Sequence, residues 1–335
     1  MPLLDIRNLT IELETPNGII KAVDRVNLSI NPGEIRGLVG ESGSGKSLVA
    51  KAIMGILSDR WHVSADRLRY NSIDLLSLSA KERRKLMGSE IAMVFQEPSS
   101  CLDPNDTVGH QLHESLATIA PDVPFFQRKQ WREVRIRQLL HKVGIRDHLR
   151  VMNSYPHELS EGMCQKVLIA MAIAYKPRLL IADEPTTDIE SGARVQIFKL
   201  FKKLNQLNDV SILLITHDLE QIENWTQTIT VMYSGQSVES GRTKDIFKQP
   251  FHPYTMALLQ SMPHFGDKLA HKSQLNALSG CVPTMQHLPI GCRLGPRCPN
   301  AQRRCVEMPQ MQKSKGHYYS CHFPIDYDEP NEKEQ

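Results

Sequence analysis

The sequence predicts an α/β protein in which helices flank a parallel sheet, with antiparallel strands before it and a small cysteine-rich C-terminal domain after it. Residues 3–13 and 22–30 alternate apolar and polar positions, which is typical of antiparallel strands. Apolar runs with the length of buried strands follow along the chain, at 35–39, 179–182 and 211–216. Four of the 7 cysteines crowd near the C-terminus, a pattern that suggests a metal site in a reducing compartment.

Turn and helix signals connect these strands. Asn17 and Gly18 mark a turn between the first two strands. A glycine-rich loop leads from the apolar run 35–39 into a helical pattern at 46–57, and a second helical pattern at 192–207 separates the last two apolar runs. Strands and helices in this order predict a parallel sheet with helices on its faces.

A helical and polar stretch interrupts this alternation, and we expect an inserted helical subdomain at about 97–165. Its clearest amphipathic helix covers 128–144. The main domain is expected to occupy 1–245, because beyond it the periodic pattern loosens and proline, glycine and histidine become frequent. A C-terminal domain at 246–325 and an acidic, disordered tail at 326–335 complete the prediction.

Composition and charge narrow the classes of function. The 40 basic and 37 acidic residues leave a formal net charge of +3, too balanced for a nucleic-acid-binding surface or a polybasic membrane anchor. The longest apolar run, at 167–175, has about half of the ~20 residues that a membrane-spanning helix requires. The N-terminus lacks the pattern of a signal peptide, so we expect a cytoplasmic protein that reaches a membrane only through partner proteins.

The glycine-rich loop carries a phosphate-binding motif. It reads Gly40, Glu41, Ser42, Gly43, Ser44, Gly45, Lys46 and Ser47. This is the P-loop pattern, and it lies between a predicted strand and a predicted helix, as phosphate binding requires. Backbone N–H groups curl around phosphate oxygens, Lys46 reaches the β and γ phosphates, and Ser47 holds Mg²⁺. We therefore expect ATP and Mg²⁺ as ligands, since a chance match to this pattern is rare and a mere flexible turn is disfavoured.

Two adjacent carboxylates end the apolar run 179–182. Asp183 is expected to orient the hydration shell of Mg²⁺, and Glu184 to polarise the attacking water as a general base. His217, directly after the last apolar run, is a candidate for a bridge to the γ phosphate, and Gln96 for a contact with both Mg²⁺ and water. Taken alone, each residue has an ordinary structural explanation, and only the combination with the P-loop favours catalysis.

Together these motifs resemble the nucleotide-binding domain of ABC proteins over residues 1–245, in the order Walker A, Q-loop, signature, Walker B, D-loop and H-loop. The most specific element resembles the ABC signature and contains Ser160, Glu161, Gly162 and Met163. The resemblance implies a RecA-like core, an antiparallel β subdomain and a helical signature subdomain. It also implies an ATPase whose signature contacts the ATP held by a second, facing ATPase domain.

Several positions depart from the family pattern. Glu161 stands where the family has glycine, which places a carboxylate close to the partner's triphosphate. In the D-loop, Glu190 stands where the family has aspartate. We therefore expect an asymmetric heterodimer with a different ATPase subunit. Residues 18–23 contain no aromatic side chain to stack on adenine, so base recognition is expected to be loose.

The C-terminal region carries two further motifs. The stretch from Phe251 to Thr255 resembles the HPY motif of oligopeptide and dipeptide importer ATPases. The cysteine cluster follows with the spacing C-x5-C-x6-C-x15-C, at Cys292, Cys298, Cys305 and Cys321. Similar sets in that family are associated with a [4Fe-4S] cluster, while four thiolates also suit zinc, and unligated thiols are a third interpretation. The remaining cysteines are expected to be packing residues, at Cys101, Cys164 and Cys281.

Within this family the chain resembles the Sap-type branch, whose systems import antimicrobial peptides and are linked to resistance. The resemblance implies a second ATPase of SapF type, two membrane permeases and a periplasmic peptide-binding protein, at the inner membrane of a Gram-negative bacterium. Two other classes stay open: a regulatory ATP-binding module with little turnover, and a DNA-repair or ribosome-associated ABC ATPase. The single ATPase unit, the lack of coiled-coil heptads and the near-neutral charge disfavour the last class.

Overall fold

The computed structural model describes residues 1–16, 18–117, 123–262 and 278–327. Within these residues the strands are β1 (Leu4–Thr15), β2 (Gly18–Ile30), β3 (Ile35–Val39), β4 (Trp61–Ser64), β5 (Arg67–Tyr70), β6 (Ile73–Asp74), β7 (Ile91–Val94), β8 (Leu179–Asp183), β9 (Ser211–Thr216), β10 (Thr228–Tyr233), β11 (Gln236–Arg242), β12 (Gln312–Ser314) and β13 (His317–Tyr319).

The α-helices of the described chain are α1 (Lys46–Met54), α2 (Ala80–Leu86), α3 (Val108–Ser115), α4 (Arg128–Lys142), α5 (His148–Asn153), α6 (Glu161–Ala172), α7 (Ser191–Asn208), α8 (Leu219–Ile222), α9 (Thr243–Lys248) and α10 (Pro253–Gln260). Short 3₁₀ turns lie at Pro98–Cys101, Phe125–Gln127, Pro156–Glu158, Gly295–Arg297 and Arg303–Val306. No helix among the described residues has both the length and the apolar character to cross a membrane.

The chain divides into two compact units. The first contains Met1–Asn31, Ile35–Ser77 and the chain from Ile215 onward, and the second contains Pro32–Glu34 and Leu78–Leu214. The phosphate-binding loop, the HPY motif and the cysteine cluster therefore belong to the first unit. The paired carboxylates, the predicted glutamine and the signature belong to the second.

An antiparallel sheet forms one part of the first unit. Its strand order is β2-β1-β5-β6, and β4 also pairs with β1. The register joins Leu4 to Ile30 and Thr15 to Gly18, which confirms the two antiparallel strands predicted at the N-terminus. The apolar side of the alternation is buried, with Leu4 and Ile30 both 0% exposed. Asn17, the first residue of the predicted turn, lies outside the described residues.

A second sheet in the first unit has the order β12-β13-β11-β10-β3. Strands β3 and β10 are parallel, whereas β13 pairs antiparallel with β11 through Glu239 and Tyr319. Phe251 and Cys321 pack with Tyr319 in a small buried cluster that also contacts Tyr327. The described end of the chain thus shares a sheet with β11 and β10, and the domain boundary at 245 stays a prediction.

The second unit contains the strand order β9-β8-β7 and the helices α2 to α7. Strands β7 and β8 are parallel, as their apolar runs predict, and every residue of β8 is buried. The helical patterns at 128–144 and 192–207 are confirmed as α4 and α7. At the end of α7, the Asn205 amide donates to the Gly33 and Val210 carbonyl oxygens at 2.8 and 2.9 Å, which connects the helix to the segments before β3 and β9.

Two predicted elements end differently from expectation. The helix predicted at 46–57 ends at Met54, because Gly55 takes a left-handed conformation with φ 66° and its N–H donates to the Ala52 carbonyl oxygen. The tail predicted to be disordered begins with ordered contacts, since the Tyr327 hydroxyl donates to the Pro250 carbonyl oxygen at 2.9 Å. The rest of that tail, from 328 onward, lies outside the described residues.

Candidate functional site

The phosphate-binding loop connects β3 to α1, as the sequence predicts. Gly45 is the N-cap of α1 with φ 96°, and Gly40 has φ 151°. A side chain at Gly40 would overlap the Met232 carbonyl oxygen, so only glycine allows the loop to turn here beside β10. The loop therefore leads directly into the N-terminus of α1, and a helix N-terminus after a glycine-rich turn is the geometry that binds phosphate.

Lys46 is buried, with 4% of its surface exposed, and its ammonium lies inside the loop. Its Nζ donates to the carbonyl oxygens of Gly40 and Glu41 at 2.8 and 3.0 Å. These bonds hold the Lys46 ammonium against the loop backbone. The first turn of α1 contains no acidic residue. Ser47 follows as the second residue of the helix and is half-buried.

The paired carboxylates lie in the second unit at the end of β8. Asp183 is the last residue of the strand and is 4% exposed. Glu184 follows with φ 46°, a left-handed conformation that glutamate rarely adopts. Its carboxylate accepts a hydrogen bond from the Thr187 hydroxyl at 3.1 Å. The left-handed residue turns the chain sharply after the strand, and a strained backbone of this kind is found most often at functional sites.

Two more non-glycine residues with left-handed backbones accompany predicted functional positions in the second unit. Glu97, directly after the exposed Gln96, has φ 58°, and Asp188 in the D-loop has φ 60°. Such conformations cost about 1–3 kcal/mol and persist only where the surroundings hold them. Sequence reasoning missed them, because glutamate and aspartate give no local signal for this conformation.

The signature forms the start of α6. Ser160 is its exposed N-cap, and its side chain makes no capping hydrogen bond to the helix. Glu161 is the first helical residue and the acidic residue of the first turn. Met163 is half-buried in the same turn, and its N–H donates to the Ser160 carbonyl oxygen at 2.8 Å. The helix N-terminus and the Ser160 hydroxyl are therefore available to a ligand, with one carboxylate beside them.

The signature and the D-loop touch each other. A Cβ atom at Gly162 would lie 3.2 Å from the Ala193 Cβ and 3.8 Å from Ile189 Cγ2, so this glycine allows close packing of α6 against the segment that begins α7. Glu190 is exposed and forms the N-cap of α7 without a side-chain capping bond. The two elements that depart from the family pattern are thus neighbours in the fold.

Gln165 in α6 is a residue that sequence reasoning did not single out. It is 0% exposed, and neither its amide nitrogen nor its amide oxygen has a hydrogen-bond partner among the described residues. Cys164 beside it is also buried, and burial, followed by the Glu161 charge, raises the pKa of its thiol to about 11. Cys164 is therefore a neutral packing residue at pH 7, as expected from its position outside the cysteine cluster.

His217 follows β9 and is exposed. The N–H of the next residue, Asp218, donates to the Thr216 hydroxyl at 3.0 Å, which sets the turn that ends the strand. His217 and the phosphate-binding loop belong to the first unit, while Gln96, the signature and the paired carboxylates belong to the second. The sequence-predicted roles of these residues stay predictions.

The HPY motif forms the start of α10. His252 is the N-cap, and its Nδ1 accepts a hydrogen bond from the Tyr254 N–H at 3.2 Å. Pro253 takes the first helical position, where its missing N–H costs nothing. Burial lowers the pKa of His252 to about 4, against the opposing charge of Glu239, whose carboxylate accepts the N–H groups of Phe251 and His252. The imidazole is thus neutral at pH 7 and serves as a helix cap.

The cysteines of the C-terminal cluster lie on turns that donate N–H groups to sulfur. The N–H groups of Leu294 and Gly295 donate to Cys292, that of Asn300 to Cys298 and that of Phe323 to Cys321. The Cys292 N–H donates to the Cys305 carbonyl oxygen at 2.9 Å, which joins two of the turns.

Burial is the main cause that raises the pKa of the Cys292, Cys298 and Cys321 thiols, that of Cys321 to about 12. Neighbouring cysteines of the cluster raise these values further, so the four thiols are electrostatically coupled. A metal must therefore displace protons from buried thiols to bind here, while the N–H groups aimed at sulfur favour the thiolate form.

A second set of possible ligands lies on the surface of the second unit, at the start of α3. One ligand atom each of Asp106, His110 and Glu114 lies within 4.8 Å of the others. His110 hydrogen-bonds the Asp106 carboxylate through Nδ1, and this bond is the main cause that raises the pKa of His110. A pair of half-buried Asp106 and exposed His110, four residues apart, explains this arrangement without a metal.

Comparison with known proteins shows similarity over nearly the whole chain. The ABC transporter family matches residues 23–187, and the family of oligopeptide/dipeptide transporter C-terminal regions matches residues 238–305. The peptide transport system ATP-binding protein SapD of Salmonella typhimurium is 55% identical over 325 residues, which cover 97% of this chain and 98% of the relative. SapD of Haemophilus influenzae is 50% identical over 335 residues, which cover 100% of this chain and 96% of the relative.

Solved structures support the same similarity. A dimeric ATP-binding cassette in a post-hydrolysis state, bound to ADP and Pi, matches with a TM-score of 0.63 and 26% sequence identity. The match covers 72% of this chain and 98% of that chain.

Proposed function

The chain belongs to the family of ABC transporter ATP-binding proteins, in the branch that contains SapD, and from this premise we propose that it hydrolyses ATP to drive the import of peptides. Its relatives are named as ATP-binding proteins of peptide transport systems. Antimicrobial peptides are the substrate class that we assign to the system, with resistance to them as the physiological result.

The observation that carries this proposal is the phosphate-binding loop. Lys46 is buried inside the loop and held on its carbonyl oxygens, and the first turn of α1 is free of acidic residues. This combination of an oriented helix N-terminus and a buried ammonium attracts a polyphosphate. In the proposed reaction Lys46 contacts the β and γ phosphates and Ser47 holds Mg²⁺.

The residues of the second unit and His217 supply the chemistry of hydrolysis. Asp183 orients the hydration shell of Mg²⁺, and Glu184 accepts a proton from the attacking water. Gln96 contacts Mg²⁺ and the water, and His217 hydrogen-bonds the γ phosphate. The left-handed backbone of Glu184 supports this assignment, since strained backbones cluster at catalytic residues.

The substitution Glu184→Gln tests the proposal directly. It removes the base and keeps the size of the side chain, so we expect ATP hydrolysis to fall at least about 100-fold while ATP binding is retained. Steady-state hydrolysis of the assembled transporter and equilibrium binding of ATP to the purified chain measure the two effects. The control is Glu223→Gln, at an exposed carboxylate, which should hydrolyse ATP normally. Undiminished hydrolysis by Glu184→Gln would exclude Glu184 as the base.

We further propose that the chain works in an asymmetric heterodimer with a second ATPase of SapF type. The signature presents Glu161 in the first turn of α6, and the neighbouring D-loop presents the exposed Glu190. These carboxylates repel a triphosphate held by a facing subunit, so this chain offers its partner a weakened site. ATP-dependent homodimers of the purified chain with full turnover would contradict the heterodimer.

A regulatory ATP-binding module with little turnover is the second candidate function, and Glu161 is the observation that favours it. In that case transport would continue in the Glu184→Gln variant, because control of a partner requires ATP binding alone. In the importer, transport and hydrolysis fall together.

The four cysteines fit a [4Fe-4S] cluster, which is the cofactor that we propose for the C-terminal region. The N–H groups donated to Cys292, Cys298 and Cys321 are the contacts that stabilise thiolate ligands of such clusters. A tetrahedral zinc site with Zn–S bonds of about 2.3 Å would place its sulfurs about 3.8 Å apart. Four thiolates also suit a single tetrahedral zinc ion, which is the alternative occupant of this site.

When bound, the cluster supplies iron–thiolate bonds that join separate turns of the C-terminal region. Anaerobic purification tests its identity. We expect a brown protein with about four iron atoms and four sulfides per chain. A colourless protein with one zinc ion per chain would contradict the cluster and identify the metal as zinc.

The proposed partners also include two membrane permeases and, through them, a periplasmic peptide-binding protein, which place the chain peripherally on the cytoplasmic face of the inner membrane. Exposed aromatic side chains of the second unit support a protein contact: Phe95 next to Gln96 is 39% exposed, and Phe125 and Phe126 are 83% and 79% exposed. Purification of the complex from native membranes tests this assignment, and recovery of the chain without any permease would contradict it.

A further inference from the structure

Glu41, the second residue of the phosphate-binding loop, is held by two residues that are far away in the sequence. The Arg297 guanidinium donates two hydrogen bonds to its carboxylate, from Nη1 at 2.9 Å and from Nη2 at 3.2 Å. The Glu41 N–H donates to the hydroxyl of Tyr254 at 2.9 Å. The loop is therefore contacted both by the HPY motif and by the cysteine segment, which we define as residues 291–299.

Arg297 is a well-fixed partner for Glu41. Its side chain is 7% exposed, against 31% for that of Glu41. Nη1 also donates to the Tyr233 hydroxyl at 3.3 Å, and the guanidinium lies 5.7 Å from the centre of the Tyr233 ring. The rings of Tyr233 and Tyr254 pack with their centres 4.7 Å apart. A bidentate pair in such surroundings allows one orientation of the carboxylate, so Arg297 sets the position of Glu41.

A second arginine of the cysteine segment reaches the same loop by another route. Arg293 is 6% exposed, pairs with Asp24 at 3.1 Å and donates to the Ser234 carbonyl oxygen. The next residue, Gly235, donates its N–H to the carbonyl oxygen of Ser44 in the phosphate-binding loop at 3.0 Å. The cysteine segment thus supports the loop at two points, through Arg297 at Glu41 and through Arg293 and Gly235 at Ser44.

We propose that the cysteine segment positions the phosphate-binding loop, with Arg297 acting through Glu41, so that the affinity for ATP depends on the state of the cysteines. The inference rests on the proposed role of the loop in ATP binding. Without Arg297, the Glu41 carboxylate would stay beside the triphosphate as an uncompensated charge, and the peptide that it anchors would lose its orientation. Arg297 acts here as a positioning residue, because its guanidinium contacts Glu41 and Tyr233.

The sequence order connects this effect to the cysteines. Cys292 directly precedes Arg293, and Cys298 directly follows Arg297. Any group that ties these two thiols together also restricts the two arginines. Loss of that restriction weakens the contacts of Arg293 and Arg297 with the loop. Because each arginine is bonded directly to a cysteine of the cluster, a change at the cysteines alters the ATP site.

Equilibrium binding of a fluorescent ATP analogue to the purified full-length chain tests the positioning role. We expect Arg297→Ala to raise the Kd at least about tenfold and Arg297→Lys to raise it less, because lysine keeps the charge without the bidentate geometry. The matched control is Arg304→Ala, which removes an exposed arginine from the same region and should leave the Kd unchanged. In the assembled transporter KM for ATP should rise while kcat stays within about twofold, a split that a general folding defect does not produce.

A wild-type Kd in Arg297→Ala, with ATP binding intact in the parent chain, would overturn the positioning role and leave the proposed function standing. Failure of the parent chain itself to bind ATP would instead overturn the proposed function. A double-mutant cycle combines the substitution at Arg297 with Glu41→Gln. If Arg297→Ala folds poorly, Arg297→Lys takes its place in the cycle, so the inference stays testable. We expect the substitution of Arg297 to raise the Kd less in the Glu41→Gln background than in the parent chain. Strictly additive effects on the free energy of binding would contradict action through Glu41.

The dependence on the cysteines is tested by Cys298→Ser, with Cys281→Ser at an exposed cysteine outside the cluster as control. We expect a several-fold higher Kd for Cys298→Ser and an unchanged Kd for Cys281→Ser, both measured below the melting temperature of each variant. Equal affinity of the two variants would overturn the link between the cysteines and ATP.

Discussion

The N-termini of α1 and α6 are the two helix ends that family resemblance assigns to ATP phosphates, and they differ in charge. At α1, Lys46 is the first helical residue and the first turn contains no acidic side chain. At α6, Glu161 is the first helical residue. A helix N-terminus carries a partial positive charge of about half a unit, so Lys46 adds to the attraction for phosphate whereas Glu161 cancels it.

The contrast shows that one residue can change what a helix end binds while the helix stays intact. Glu161 stabilises α6, because an acidic residue in the first turn interacts favourably with the helix dipole. The helix keeps its full range, and Gly162 keeps its close contact with Ala193. The weakened attraction for a facing triphosphate that we propose is thus compatible with an intact signature helix.

The largest effect is expected at the α1 end of the comparison. Lys46→Ala removes the buried ammonium from the loop, and we expect hydrolysis by the assembled transporter to fall about 1,000-fold, or about 4 kcal/mol of transition-state stabilisation. The control is Lys51→Ala, an exposed lysine in the last turn of the same helix, with little expected effect. Steady-state ATPase rates provide the measurement, and a loss below tenfold would mean that α1 does not hold the reacting phosphates.

A smaller effect concerns the HPY motif that supports the loop at α1. His252 has a pKa of about 4 when folded and about 6.5 when unfolded, so the unfolded chain binds more protons between these values. The contribution of neutral His252 to the free energy of unfolding should be fully present above about pH 6.5. As the pH falls toward 4, the free energy of unfolding should decrease by up to about 3 kcal/mol. The Glu239 carboxylate accepts the His252 N–H, and His317 Nδ1 lies 3.5 Å from the same carboxylate.

His252→Asn isolates the contribution of the imidazole, because asparagine keeps a side-chain acceptor for the Tyr254 N–H but does not titrate. Denaturant unfolding at pH 7 and pH 5 should show a shallower pH dependence for this variant than for the parent chain. His287→Asn, at an exposed histidine, serves as the control and should keep the parent slope. An unchanged slope in His252→Asn would assign the acid sensitivity to other groups.

The smallest effect is expected at α6. Glu161→Gln removes the charge and keeps the shape, so ATP-dependent association through the signature should become stronger by about 1 kcal/mol, or about fivefold. Light scattering of the purified chain in the Glu184→Gln background, over a range of protein concentrations, measures this gain. Identical association with and without the charge would show that Glu161 does not face the nucleotide. The proposed difference between the two helix ends in their attraction for phosphate would then be wrong.

Local patterns predicted the secondary structure around the site well. The alternation in the first 30 residues gave β1 and β2, and the P-loop pattern gave a loop between β3 and α1. The helix end at Met54 was missed, because a glycine inside a helical pattern either continues the helix or ends it, and tertiary contacts decide between the two.

The contacts that support the loop could not be predicted. Arg297 and Glu41 are 256 residues apart, and Tyr254 and Glu41 are 213 apart, so no local pattern connects them. The HPY motif was recognised as a marker of the family, whereas its physical role as a helix cap with a tyrosine on the loop required the structure. The left-handed backbone at Glu184 could not be predicted from the local sequence either, since tertiary contacts impose it.

The distance along the chain between Glu41 and Arg297 also has a consequence for synthesis. Ribosomes add about 5–20 residues per second, so the 256 residues between the two partners take roughly 13–50 seconds to make. During that interval a nascent chain has its phosphate-binding sequence without Arg297, and for the first 213 residues it lacks Tyr254 as well. The contacts that hold Glu41 therefore form only when the last quarter of the polypeptide has emerged.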